Sequence, residues 1–402
     1  NIGTIKQESG NLELALENYN RAIQINPKYA GAYNNLGNVL KETGDLNGAI
    51  KNFKKAIEIS PSYVDAYNNL GVALQYKGDL TEAIESFNMA LKINPLADTY
   101  NNIGNAFKDN GKLEKAIKNY QEALKINPDH AETYNNMGIA LKDKGDLDAA
   151  IYSYSQAIEI NPKFADAHSN LGSALGNRGK LDIALDSFSQ AIKIEPKSAD
   201  AYNNMGNVLQ EQGDFIRAIH SYKTAIKVRP NFAEAYNNLG VALQNKGELT
   251  DAIKSYRKAL MLKPKYEEAH INKLYQQRHI CDWSETKNDT KLIPQLGTMG
   301  NPIAPFSALP LEDSPQRHKI RAEVYLKSRF VQGPLPVSTR PVTKPKRIRI
   351  GYFSSDFQNH PVMFALMGIL ENHNSDKFEI YAYSFGPEIN DEMRQRIVNS
   401  VK

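Results

Sequence analysis

Cysteine is almost absent from these 402 residues: Cys281 stands alone. No internal disulfide can form, which suits a reducing compartment and makes the cytoplasm the expected location. Tryptophan also occurs once, as Trp283. There is no strong excess of either charge. Lys and Arg number 49 against 45 Asp and Glu, leaving +4 and no electrostatic reason to expect nucleic acid as a partner. The longest apolar run near the end, Val362 to Leu370, has the length of a core helix rather than a membrane span, so no membrane partner is expected. The chain opens on Asn1, inside a repeat, so the lack of a visible leader carries no weight. The length allows two or three domains.

What the sequence has in abundance is a period. Pro27, Pro61, Pro95, Pro128, Pro162, Pro196, Pro230 and Pro264 follow one another at 34 residues, except for 33 between Pro95 and Pro128. A fixed spacing of this size predicts a solenoid of two-helix units. In the unit Ala30 to Tyr63, helix A is expected over about 32–43 and helix B over about 46–59. Gly44 separates them, and its equivalents are Gly10, Gly78, Gly111, Gly145, Gly179, Gly213 and Gly247. Glycine there suits a left-handed residue closing helix A, and the Asp, Glu or Asn that often follows suits the start of helix B. In helix B, Ala49, Phe53 and Ala56 and their equivalents fall at i, i+4 and i+7, one face of a helix. In helix A the recurring set is Tyr33, Leu36 and Gly37. These positions read as packing.

This pattern resembles the tetratricopeptide repeat, from Asn1 to about Ala269. The resemblance implies a right-handed superhelix with helix A inside: a partial first repeat, seven full ones and a terminal helix, over residues 1–272.

Helix A also carries Asn-Asn ahead of its Leu-Gly. The second member of the pair recurs at Asn35, Asn69, Asn102, Asn136, Asn170, Asn204, Asn238 and Asn272; the first has become Ser169 and Ile271 in two repeats. Asn inside a helix costs roughly 0.5–0.7 kcal/mol against Ala, so something offsets it. One reading is a ladder along the concave face whose carboxamides, donors and acceptors together, hold the backbone of an extended peptide or acceptor protein. The other is a local bond to the neighbouring helix.

After Lys273 the period stops. Trp283 is expected to cover the apolar end of the last repeat. A capping and linker region, residues 273–346, contains a helix expected over Ser314 to Lys327 and a basic, Pro-rich stretch from Pro334 to Lys346 that reads as solvated. From Arg347 the alternation predicts a strand, then a turn at 354–361, an apolar helix over Val362 to Asn372, a strand over Phe378 to Phe385 and a last helix before Val401. That order opens a parallel α/β domain, 347–402, whose ligands belong at the carboxyl ends of its strands.

The segment Arg349-Ile-Gly-Tyr-Phe-Ser-Ser-Asp-Phe-Gln-Asn-His-Pro361, with Cys281-Asp282-Trp283 after the repeats, resembles the protein O-linked N-acetylglucosamine transferases of glycosyltransferase family 41, their bacterial members in particular. The resemblance implies a Rossmann-like lobe and transfer of GlcNAc from UDP-GlcNAc to Ser or Thr with inversion and without a metal ion. His360 matches the family histidine at the sugar–acceptor site, a candidate acid or base. Asp356 is a weaker catalytic candidate that also suits a loop cap. The family's uridine pocket and diphosphate-binding lysine have no counterpart before Lys402, so a fragment truncated at both ends and inactive alone is expected. A protein O-fucosyltransferase of the same family and a non-enzymatic repeat scaffold remain the alternatives.

Overall fold

The computed structural model describes residues 11–285, 291–298, 302–329, 346–354, 361–374, 376–384 and 391–401. Asn1, Gly10, Asp356, His360 and the basic stretch from 334 to 345 lie outside them. The chain forms two compact units, Asn1–Arg329 and Phe330–Lys402.

The first unit is mainly an array of helix pairs. Helix α1 (Leu12–Ile25) completes the partial repeat. The A and B helices then alternate: α2 (Ala30–Glu42) and α3 (Leu46–Ile59), α4 (Val64–Lys77) and α5 (Leu80–Ile93), α6 (Ala97–Asp109) and α7 (Leu113–Ile126), α8 (Ala131–Lys144) and α9 (Leu147–Ile160). The order continues through α10 (Ala165–Asn177) and α11 (Leu181–Ile194), α12 (Ala199–Glu211) and α13 (Phe215–Val228), and α14 (Ala233–Asn245) and α15 (Leu249–Leu262), to α16 (Glu267–His279). The helix ends follow the sequence signals. The seven described inter-helix glycines, Gly44 to Gly247, hold φ between 68° and 92°, a region that L side chains avoid. Asp45, Asp146 and Asp214 accept from the backbone N–H of Gly48, Ala149 and Arg217 at 2.9, 3.2 and 3.0 Å. Asp79 and Glu248, in the same place, make no side-chain cap.

Each A helix packs between the B helices of its own and the preceding repeat, and successive A helices also touch. The B-helix rings fill the centre. Phe53, Phe87, Tyr120, Tyr154, Phe188, Tyr222 and Tyr256 are fully buried. They lie close against the helix-A glycine: a Cβ placed on Gly71 would stand 2.5 Å from Phe87 Cε1.

The array ends by a change of residue type. Lys273 and Leu274 stand where other A helices carry a large apolar residue and that glycine, so no further ring fits. Ile293, Leu296, Ile303, Ala308 and Leu311 cover Ile271 and Leu274 instead. Helices α17 (Pro305–Ala308) and α18 (Pro315–Arg329) complete this cover. The fully buried Arg321 of α18 donates to the carbonyls of Ile293 and Leu296 at 2.7 and 2.8 Å and pairs with Glu312 at 2.6 Å. Trp283, expected to be the cover, is 56% exposed. The reason is local. Cys281 takes the left-handed slot of the missing glycine, at φ 55°, and Asp282 N–H closes the turn on the Gln277 carbonyl at 2.8 Å. That turn sends the indole outward, where the Arg278 guanidinium lies 5.9 Å from its ring.

In the second unit β1 (Ile348–Ser354) and β2 (Phe378–Ser384) run parallel, with Ile350 opposite Ile380. Met363, Met367 and Leu370 of α19 (Pro361–Glu371) and Met393 and Ile397 of α20 (Glu392–Ser400) pack with Ile380. Arg396 grips the Glu371 carboxylate through two bonds of 2.6 and 2.7 Å. Among the described residues the sheet has these two strands, a parallel α/β fragment rather than a full Rossmann-like lobe. No helix among them is long and apolar enough to cross a membrane.

Candidate peptide-binding face

The Asn pairs are joined across the repeats. The second Asn of one A helix donates from Nδ2 to Oδ1 of the first Asn in the preceding A helix. The bonds are Asn69 to Asn34 (2.9 Å), Asn136 to Asn101 (3.1 Å), Asn170 to Asn135 (2.9 Å), Asn238 to Asn203 (3.0 Å) and Asn272 to Asn237 (3.3 Å). The accepting residues are buried between helices; the donors are half-buried. A buried carboxamide oxygen needs a donor, and the next repeat supplies it. This offsets the poor helix propensity of Asn at both positions.

The local reading of the Asn pair is thus what the geometry displays, and it leaves a binding role open. A carboxamide has two N–H groups and an oxygen with two lone pairs. The joint bond occupies one N–H and fixes the orientation of the group. One N–H and the oxygen of Asn69, Asn136, Asn170 and Asn272 remain outside it; Asn238 gives a further bond to Asn207 at 3.2 Å. Asn35 and Asn204 instead accept a 3.4 Å bond from their own neighbours, Asn34 and Asn203. Two joints lack the rung. Asn204 faces a repeat whose first position is Ser169, and Asn102 makes no side-chain hydrogen bond to any described residue.

Sequence reasoning missed the first Asn as the accepting partner. The available signal was the spacing of 35 residues from Asn34 to Asn69, one repeat plus one. It also passed over an acidic row at the second A-helix position, from Asp65 to Glu268. These carboxylates sit in the first helical turn, where the helix dipole favours them. His130, Arg229 and Lys263 pair with Asp98, Asp200 and Glu234.

The turn after α16 forms a polar lock. Lys273, 7% exposed at its side chain, and Arg257 both bind Glu285, at 2.5 and 2.8 Å. Burial works to raise the Glu285 carboxyl, but these two cations outweigh it and hold the group below its ordinary range. Hydrogen bonds from Ser284, then Gln277, hold Asp282 down to about 2.

His360 and Asp356 follow the carboxyl end of β1 in the sequence and fall outside the described residues. Among the described residues of this unit, Tyr352 Oη and His373 Nε2 lie 2.8 Å apart, and Arg347 pairs with Glu379 at 3.8 Å.

Two kinds of family model match the chain. Models described as TPR repeat match 3–44, 37–78, 104–145, 140–179 and 177–213, and models described as tetratricopeptide repeat match 64–95 and 203–267. One described as glycosyl transferase family 41 matches 328–402. The chain is therefore a tetratricopeptide-repeat protein with a C-terminal glycosyl transferase family 41 domain. It is distantly related to the probable UDP-N-acetylglucosamine–peptide N-acetylglucosaminyltransferase SEC of Arabidopsis thaliana, 40% identical over 70 residues. That match covers 16% of this chain and spans only 7% of the relative's length. Among solved structures, the APC/C hetero-tetramer Cut9–Hcn1 shares the fold, with a TM-score of 0.52 at 16% identity over 66% of this chain and 52% of that one. YrrB, described as a TPR protein with an unusual peptide-binding site, is 27% identical over 46% of this chain and 95% of its own, with a TM-score of 0.36.

Proposed function

We propose that the protein is a protein O-glycosyltransferase that moves GlcNAc from UDP-GlcNAc to Ser or Thr of acceptor proteins held along its A helices. The observation that carries this reading is the glycosyl transferase family 41 match at 328–402, C-terminal to the repeat array and its cap. The Asn ladder supports the holding role: regularly spaced, oriented carboxamides suit the repeating N–H and C=O groups of an extended chain. In the transfer, the acceptor oxygen bonds to the anomeric carbon while the bond to the diphosphate breaks. His360 takes the hydroxyl proton, and Asp356 shapes its loop. The sugar inverts, and no metal takes part. The single cysteine fits a cytoplasmic setting for this work.

Transfer of labelled sugar to a Ser/Thr peptide, by protein expressed from the complete reading frame, tests the reading, with GDP-fucose as the rival donor. His360→Ala should lower turnover by about 10²–10⁴-fold; full activity would remove His360 from the reaction. Replacing Asn69, Asn102, Asn136, Asn170 and Asn204 together by Ala should abolish peptide binding. Peptide affinity unchanged in a folded variant would confine the ladder to joining repeats. Peptide binding without transfer from either donor would favour a scaffold.

A further inference from the structure

One joint of the array differs from all the others. The connectors between a B helix and the next A helix have four residues, as in 26–29 or 127–130; between α5 and α6 there are three, 94–96. The second Asn follows the first Asn of the preceding repeat by 35 residues at the bonded joints, but Asn102 follows Asn68 by 34. The rung is missing there, and its absence leaves a mark. Asn68 Oδ1 and Thr99 Oγ1 are both buried without a hydrogen-bond partner among the described residues. At the following joint the equivalent groups are pinned: Thr133 Oγ1 and Asn136 Nδ2 both donate to Asn101 Oδ1, and His130 binds both Thr133 and Asp98. The joint at Ser169 also lacks a rung, but no buried side-chain atom of Ser169 or Asn204 is left unpartnered.

What holds α4, α5 and α6 together is a continuous apolar seam of Leu70, Leu74, Phe87, Ile103 and Ala106. Apolar contact is non-directional and tolerates sliding, whereas a hydrogen-bonded rung fixes register. One directional tie does cross the joint, from Gln75 Nε2 to Asp109 Oδ2 at 2.6 Å, near the C-terminal ends of α4 and α6.

We propose that the α5–α6 joint is a hinge of the repeat array. The C-terminal ends of α4 and α6 pivot at Gln75 and Asp109, and their middle turns, with Asn68, Asn69, Thr99 and Asn102, part and close. Movement there changes the spacing between Asn69 and Asn102, so the A-helix face adjusts its length at that point.

The test uses the full chain carrying Cys281→Ser, with spin labels on exposed B-helix positions. A pair at 58 and 125 spans one bonded joint and the α5–α6 joint. A pair at 125 and 193 spans two bonded joints. The first distance distribution should be broader than the second, and replacing Leu96 by Lys-Tyr, as at Lys28-Tyr29, should narrow it to the control width. Equal widths in the parent chain, or a width unchanged by the insertion, would overturn the hinge. Should the insertion disturb folding, two milder variants decide. Thr99→Ala removes an unpartnered hydroxyl and should raise the denaturation midpoint, while Thr133→Ala removes a bonded one and should lower it. Equal losses in both would also overturn the proposal.

Discussion

Asn101→Leu should destabilise the array, and Asn68→Leu should not. The two positions are equivalent in the repeat and the chemistry of the change is the same. Asn101 Oδ1 accepts from Asn136 at 3.1 Å and Thr133 at 3.2 Å. Each such bond is worth about 0.5–1.5 kcal/mol, so losing both costs about 1–3 kcal/mol. Leucine returns part of this by burying more apolar surface, since Asn101 is only 3% exposed, and the Thr133 hydroxyl keeps His130 Nδ1 at 2.7 Å, but the Asn136 amide is left short of an acceptor. At Asn68 the oxygen has no described partner to lose. Replacement there should fall within about 0.5 kcal/mol of neutral or stabilise. Because a repeat array need not unfold in one step, amide hydrogen exchange resolved by helix is the better assay. Protection should fall in α6 to α8 for Asn101→Leu and hold in α4 to α6 for Asn68→Leu. Equal losses at both sites would refute the claim that the rung, rather than the Asn side chain itself, stabilises the joint.

Gly71→Ala should lower the denaturation midpoint although Ala is the better helix former, because the new methyl meets Phe87 and overpacking costs about 1–3 kcal/mol; a raised midpoint would show that the ring has room. Asp282 and Glu285 are both held below their ordinary carboxyl range in the folded chain, so their contribution is present at neutral pH and lost as pH falls through the folded values. The turn they fasten should loosen between about pH 4 and 2, and Trp283, the sole tryptophan, should report it as an emission change. A flat Trp283 signal across that window would mean that the lock does not depend on these carboxylates.

The repeat array was legible because its signals are local and repeated. Proline spacing, the glycine after each A helix and the i, i+4, i+7 stripe of helix B all place elements without knowledge of neighbours, and helix α3 has the bounds that spacing implies. The strands β1 and β2 were legible from alternation and lie parallel as the intervening apolar helix requires. Trp283 was misplaced because size and position argued for burial, while a backbone device decided otherwise. Cys281 adopts the left-handed conformation of a glycine, and no composition rule shows that in advance.

The Asn pairs show where a periodic reading stops. Period 34 says that a position recurs; it does not say which recurring positions meet. The rung joins residues 35 apart, one repeat plus one. The sequence contained the deletion after Pro95 as a bare number, 33. Its physical meaning depends on which atoms that residue would have aligned, and these are Asn102 Nδ2 and Asn68 Oδ1. An Asn that serves the joint is not thereby barred from serving a ligand. The inward bond immobilises a carboxamide that would otherwise lose rotamer freedom on binding, and a group fixed beforehand binds at lower entropic cost. For the proposed holding of an extended chain, the bonded carboxamides would be the better prepared contacts, and Asn102, without a joint bond, would be ordered only by the chain it held.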